Sequence, residues 1–239
     1  MRELIWVKAL NKTFLTPAGQ LKVLKDIDTC FYEGEMVGIV GVSGAGKSTL
    51  LHIIGTLDKP TTGSVLFKSR DFSEWVDPFS LNNGDLALFR NREIGFIFQF
   101  HYLMPDFTAL ENVMMPGLVF MNREKNTNYG ALKERAEKLL DELGIYLRKD
   151  HKPGELSGGE QQRVAVARAL IQEPRVVLAD EPTGNLDLAT GEELFKLMMD
   201  MNSRTGITFI IVTHNPQLSG RCHRIMEMSD GRIVEVKTV

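Results

Sequence analysis

Met36-Val37-Gly38-Ile39-Val40-Gly41-Val42-Ser43-Gly44-Ala45-Gly46-Lys47-Ser48-Thr49 is the stretch that decides the fold. Its first five residues read as a short apolar strand, and from Lys47 onward Leu50, Leu51, Ile53, Ile54 and Leu57 mark a helix. Between them Gly41 to Ser48 match G-x-x-x-x-G-K-[ST], in the strand–turn–helix context the pattern needs. Glycines there let backbone N–H groups curl around phosphate oxygens, and the helix N-terminus adds a partial positive charge. Lys47 is expected to reach the β- and γ-phosphates and Ser48 to ligate Mg²⁺.

Working outward, residues before this stretch read as strands: ELIWVKAL, then LKVLKDIDTCFY, broken at Pro17-Ala18-Gly19 and Glu33-Gly34-Glu35. After it come a turn at Pro60-Thr61-Thr62-Gly63 and a short strand at Val65-Leu66-Phe67. Ser69 to Gly84 has no clean period and reads as an irregular insertion. From about 108 to 144 the spacing turns helical, with Thr108 and Glu111 at capping-box distance and Gly144 as a stop signal. The second half alternates helix (Ser157 to Ile171), strand (VVLA), helix (Leu188 to Met201) and strand (ITFIIV), the rhythm of a parallel sheet.

Three further strand ends carry polar residues. Asp180-Glu181 follows the continuous apolar run Val176-Val177-Leu178-Ala179, Gln99 follows Ile94 to Phe98, and His214 follows Ile207 to Thr213. Ligands of open α/β sheets bind beyond the carboxyl ends of the strands, so all four ends point to one crevice. Asp180 suits a Mg²⁺ aspartate, direct or through water, and Glu181 the carboxylate that polarises the attacking water. In Leu156-Ser157-Gly158-Gly159-Glu160 a capping box sits at a helix start, yet two first-turn positions are Gly, which costs on the order of 1 kcal/mol each in a helix interior. The expected reason is close approach of a phosphate to bare backbone N–H groups.

LSGGEQQRVAVARAL followed by VVLADEPTGNLD resembles the signature and Walker B motifs of ATP-binding cassette (ABC) ATPases, and the motif order P-loop, Gln99, signature, Asp180-Glu181, Asp187, His214 spans nearly the whole chain. The resemblance implies an α/β P-loop NTPase cassette: a RecA-like parallel-sheet core, an antiparallel β subdomain and an inserted helical lobe. Residues 1–239 would form one ATPase domain, with 1–98 and 174–239 as core and β subdomain and about 100–172 as the lobe with the signature helix. It implies ATP as substrate with Mg²⁺, a homodimer facing head to tail, and Ser157, Gly158 and Gly159 of one copy closing on the γ-phosphate at Lys47 of the other. Phe14 would stack on adenine in place of the usual Tyr. Gly41, Ser43, Gly44, Ala45, Gly46, Lys47, Ser48 and Thr49 would hold ATP, Asp187 would cross the interface, and His214 and Gln99 would sense the γ-phosphate. The metal set would be Ser48, Gln99 and Asp180.

FQFHYLMPDFTALENV and DEPTGNLD are similar to the group of cassettes serving lipoprotein release, macrolide export and cell division, with the first stretch closest to the lipoprotein-releasing kind. By that resemblance Phe100 to Phe107 receive a coupling helix from an integral-membrane permease. Phe100, Tyr102, Leu103, Met104 and Phe107 supply apolar and aromatic side chains for it, and about half of these are expected in the core of the lobe instead. Lipoprotein release from the inner membrane is the leading expectation. Rival readings are a cell-division or macrolide-export ATPase, and a regulatory scaffold whose nucleotide-dependent dimerisation matters more than turnover.

Composition bounds these readings. The 239 residues are 43% hydrophobic and 25% charged, ordinary for a folded domain, and Lys+Arg 28 against Asp+Glu 31 gives a net charge of -3, so nucleic acid is not an expected partner. No run reaches the roughly 18 to 20 apolar residues of a membrane span, and the resemblance then implies a peripheral subunit on the cytoplasmic side of the inner (plasma) membrane. Cys30 and Cys222, far apart, are expected as two buried thiols.

Overall fold

The computed structural model describes residues 2–17, 19–68, 74–120 and 128–238. Two long strands, β1 (Glu3–Thr16) and β2 (Gly19–Tyr32), form an antiparallel hairpin, and β3 (Met36–Val40) runs into the glycine loop and α1 (Lys47–Ile54). Next come β4 (Thr62–Lys68), β5 (Trp75–Val76), α2 (Asn83–Glu93) and β6 (Ile94–Ile97). Helices α3 (Ala109–Phe120), α4 (Tyr129–Glu142) and α5 (Gly158–Leu170) precede β7 (Val176–Asp180), α6 (Leu188–Thr205), β8 (Thr208–Val212), α7 (Pro216–Ser219), β9 (Arg224–Ser229) and β10 (Arg232–Thr238).

One sheet has the order β2-β1-β4-β5 and is antiparallel; the other has the order β10-β9-β3-β8-β7-β6. Within the second, β9, β3, β8, β7 and β6 are parallel and only β10 is reversed. The continuous apolar runs fill the middle of this sheet because both of its faces are covered. Alternate residues of one strand enter different cores, as a period of two requires. Val176, Leu178, Ile210 and Val212 pack with α1 and the antiparallel sheet. Val177, Ala179, Phe209 and Ile211 pack with α3 to α6.

The segment Ser69 to Gly84 corrects its expectation. Residues 69–73 lie outside the described residues, but Trp75–Val76 adds a strand beside β4, Pro78–Ser80 makes a 3-10 turn, and Asn82 caps α2 through the N–H groups of Gly84 and Asp85. Two other expectations shift: α6 runs on to Thr205, where Gly206 ends it at φ +70, and Cys30 is only half-buried while Cys222 is buried. The Thr108–Glu111 box forms, with the Thr108 N–H donating to Glu111 Oε2 at 2.8 Å and the Glu111 N–H to Thr108 Oγ1 at 3.2 Å. No helix among the described residues is long and apolar enough to cross a membrane.

Candidate ATP site

Neighbouring strands β3, β8, β7 and β6 bring their carboxyl ends to one edge, which places the glycine loop, His214, Asp180-Glu181 and Gln99 side by side in that order. The glycine loop is built for an anion. Gly46 caps α1 at φ +99 with no side chain on the first N–H groups and no acidic residue in the first turn, leaving those donors to a ligand. Gly41, at φ +145, has no room for a Cβ against the Met228 carbonyl, and Gly46 is pressed against Leu24. Gly44, at φ +79, faces open space. Thus the two end glycines seat the loop on its own protein, and Gly44 exposes backbone outward.

Lys47 folds back, its Nζ donating to the carbonyls of Gly41 and Val42, both at 2.9 Å. Burial pulls its pKa below the ordinary lysine value, with Glu181 and Asp180 opposing. Ser48 Oγ donates to Asp180 Oδ1 at 2.9 Å, and His52 Nε2 stands 3.7 Å from Asp180 Oδ2. A hydroxyl beside one carboxylate is the hard-oxygen set that Mg²⁺ takes when phosphates and waters complete its shell. Asp180 and Ser48 therefore fit the ion.

Glu181 sits at φ +48, which a non-glycine residue adopts only when its surroundings hold it there. Its N–H donates to the Val212 carbonyl at 3.0 Å, tying β7 to β8. Oε2 accepts the His214 backbone N–H at 3.3 Å, while the buried Oε1 lies 3.2 Å from His214 Nε2 without hydrogen-bond geometry. Burial raises the Glu181 pKa above the ordinary value, and the charge and backbone N–H of His214 pull it partly back. A half-buried carboxylate with a spare acceptor oxygen is suited to take a proton from water.

Gln99 reaches elsewhere. Its Nε2 donates to Asn185 Oδ1 at 3.2 Å and its carbonyl accepts from Asn185 Nδ2 at 2.9 Å, so its hydrogen bonds go to the loop before α6 rather than to Ser48 or Asp180. Asp187 caps α6, accepting the Thr190 N–H at 3.1 Å and the Thr190 hydroxyl at 2.6 Å. At the start of α5, Ser157 and Glu160 close the expected capping box. Ser157 Oγ accepts the Glu160 N–H at 3.3 Å, and the Ser157 N–H donates to Glu160 Oε2 at 2.8 Å. Close approach of a phosphate is not needed to account for Gly159: a Cβ there would sit 2.5 Å from Thr190 Cγ2, so α5–α6 packing already favours glycine. Only exposed Gly158 is left without such a packing reason.

Phe14 lies opposite Leu21 in the hairpin, and Lys12 lies opposite Leu24, the residue that touches Gly46. The Lys12 Nζ stands 4.6 Å from the Phe14 ring centroid and donates to Asp58 Oδ1 at 2.6 Å and to the Lys59 carbonyl at 2.7 Å. Of the residues expected to face a partner, Phe100, Tyr102, Met104 and Phe107 are exposed, whereas Leu103 packs on the core.

Sequence reading missed three organisers of this region. Gln162 is buried and its Nε2 donates to the carbonyls of Phe98 at 3.0 Å and Pro182 at 2.8 Å. Arg168 donates to those of His101 and Tyr102 at 2.7 and 2.6 Å. Asn112 Nδ2 donates to Met104, Phe107 and Thr108 carbonyls, and its Oδ1 accepts the Met104 N–H at 2.7 Å. A polar residue on an otherwise apolar helical face was the available signal: Gln162 shares its face with Ala165 and Ala169.

These features define a P-loop ATPase. The family pattern described as ABC transporter matches residues 24–184, and the chain belongs to that family as an ATP-hydrolysing cassette. It is 50% identical over 97% of its length to the lipoprotein-releasing system ATP-binding protein LolD of Syntrophus aciditrophicus (strain SB), covering 99% of that protein. It is 46% identical, with the same coverages, to LolD of Myxococcus xanthus (strain DK1622). Among solved structures, the dimeric cassette MJ0796 in a post-hydrolysis state with ADP and phosphate is 37% identical over 98% of each chain, at a TM-score of 0.86.

Proposed function

We propose that this cassette is the ATP-driven motor of a membrane complex that releases lipoproteins from the inner membrane, working as a head-to-tail homodimer on the cytoplasmic side. The observation that carries the ATPase half is the convergence of the P-loop, Asp180, Glu181 and His214 at adjacent strand ends. Full-length similarity to proteins named for lipoprotein release supports the rest.

ATP's phosphates bind the loop from Gly41 to Thr49, including the N–H groups of Ser43, Gly44 and Ala45, and Lys47 exchanges its two carbonyl partners for phosphate oxygens. Ser48 and Asp180 would hold Mg²⁺, with Gln99 as a third ligand once freed from Asn185, and the ion would supply charge neutralisation at the phosphates. Glu181 orients the attacking water and accepts its proton as the bond to the β–γ bridging oxygen breaks. His214 steadies Glu181 and senses the γ-phosphate together with Gln99. Ser157, Gly158 and Gly159 of the second copy complete the site with O–H and N–H donors, and Asp187 lies at the same interface.

Coexpression with the permease subunits of the same genome, reconstitution in vesicles and addition of a triacylated lipoprotein tests the substrate. ATP turnover is expected to rise severalfold with the lipoprotein and not with a macrolide; the reverse response, or none to either, overturns lipoprotein release. A second expectation concerns the base. Lys12 holds the face of Phe14 by a cation–π contact of roughly 0.5 to 2 kcal/mol, fixing the ring that meets adenine. Lys12→Met is expected to weaken ATP binding about threefold to tenfold in a titration calorimeter while turnover at saturating ATP stays within about twofold. An unchanged Kd removes Lys12 from base recognition.

A further inference from the structure

Between α2, α3 and α5 lies a groove of about 500 Å³, with Tyr102 of the stretch expected to receive the permease on its lining; the groove is read as part of that permease face. Ala87, Ile94, Phe96, Phe98, Pro116 and Val119 give it apolar walls. Its width is braced, because Gln172 Nε2 donates to Asn91 Oδ1 at 2.8 Å and Asn91 Nδ2 to the Pro116 carbonyl at 2.9 Å, tying α2 to α3 and to the end of α5. The polar lining is unbalanced. Two arginines, Arg90 and Arg168, line the groove, and among the described residues no Asp or Glu does.

Both guanidiniums are spent only in part, and only on neutral acceptors. Arg90 donates to Thr56 Oγ1 at 2.9 Å and to the Thr56 carbonyl at 2.7 Å. Arg168 donates to the carbonyls of His101 and Tyr102. Each guanidinium has five N–H donors in a fixed fork, so about three remain on each. Neither has a carboxylate partner among the described residues, and burial is the one influence that disfavours the charge of each. A part-buried charge without a counter-ion is costly, and more so once an apolar partner covers it. Arg168 also holds Tyr102 at φ +45, a strained conformation at the rim of the same groove. Both side chains are thus held in place before any partner arrives.

We propose that the permease segment seated in this groove is an apolar helix carrying a carboxylate, and that Arg90 and Arg168 are its ionic anchors. The proposal rests on the reading of the groove as the permease face and adds the chemistry its occupant must have. Some 500 Å³ holds a few side chains and not a whole helix, which is about 10 Å across. The helix therefore lies across the groove and inserts one turn, with its acid directed to the arginines. Apolar contact supplies the burial, and the ion pair fixes register and rejects wrong segments.

The test leaves this chain intact first. With the cassette unchanged, each Asp and Glu in the cytoplasmic helices of the coexpressed permease is replaced singly by Asn or Gln, and complex affinity is measured in detergent at about 150 mM salt. One such replacement is expected to weaken the complex by at least about tenfold. Arg90→Gln or Arg168→Gln is expected to cause a similar loss, and the cassette–permease double variant to show little further loss, the signature of a shared pair. An affinity indifferent to every permease carboxylate, or strictly additive losses, overturns the ionic anchor. Ala87→Trp, which fills the groove without touching charge, separates the two levels. If Ala87→Trp still assembles, the permease face itself is misassigned and the anchor falls with it; if it alone disrupts the complex, only the anchor is wrong.

Discussion

Glu181→Gln is expected to bind ATP with near-normal affinity, to hydrolyse it about 10² to 10⁴ times more slowly, and to accumulate as an ATP-bound dimer. The amide keeps the size of the side chain and one acceptor oxygen for the His214 N–H, so the strained φ of +48 and the tie from β7 to β8 survive. It cannot accept water's proton. ATP binding survives because Lys47, Ser48 and the loop N–H groups are untouched. Single-turnover hydrolysis and light scattering check this, and turnover within about tenfold of wild type removes Glu181 as the proton acceptor. The same carboxylate sets a pH dependence. Its pKa is raised by burial, so the ionised form is lost at a higher pH than for an ordinary glutamate as pH falls. The acid limb of the rate profile should therefore lie above the usual glutamate range. His214→Ala, removing a group whose charge lowers that pKa, should move the limb further up.

What the sequence disclosed followed from local periodicity. β3, β7 and β8 were legible because each is a nearly continuous apolar run, the pattern of a strand buried on both faces. The topological rule for ligand sites brings Lys47, Asp180, Glu181 and His214 to one edge of the sheet, where they lie. α2 was missed because it buries only Phe89 and Glu93 and has no apolar stripe. Trp75–Val76 is too short to carry a period and becomes a strand only because β4 offers an edge. Long-range contacts were invisible for a different reason. Gly159 is favoured by packing against Thr190, thirty-one positions later in the numbering, and Gln162 and Arg168 bond to backbone carbonyls that any residue would present. Gln99 shows a further limit: its place at the strand end was correct, but its hydrogen bonds to Asn185 depend on a loop whose path periodicity does not encode.

Lys47→Ala should weaken nucleotide binding about a hundredfold while sparing the fold, and thermal melting separates the two effects. In this structure the Lys47 ammonium is buried, held by the carbonyls of Gly41 and Val42 and close enough to Glu181 and Asp180 to feel both. Truncation removes a buried cation together with its desolvation cost, and the loop stays fastened by the Gly231 N–H to the Ala45 carbonyl at 3.1 Å and by α1 packing through Leu50 and Ile53. The melting temperature without nucleotide should therefore change little. With ATP at about a hundred times the wild-type Kd, ligand linkage stabilises the wild type by about 2.7 kcal/mol. At this chain length that corresponds to a rise of roughly 5 to 10 °C. If the lysine contributes about a hundredfold in affinity, the same ATP concentration only half-saturates Lys47→Ala, giving about 0.4 kcal/mol and a rise of about 1 °C. Lys47→Arg keeps the charge on a longer, planar head that cannot enter the space between the two carbonyls, so it should behave like the alanine variant. A wild-type shift with ATP in either variant would mean that the loop N–H groups alone hold the phosphates and that Lys47 acts only after binding.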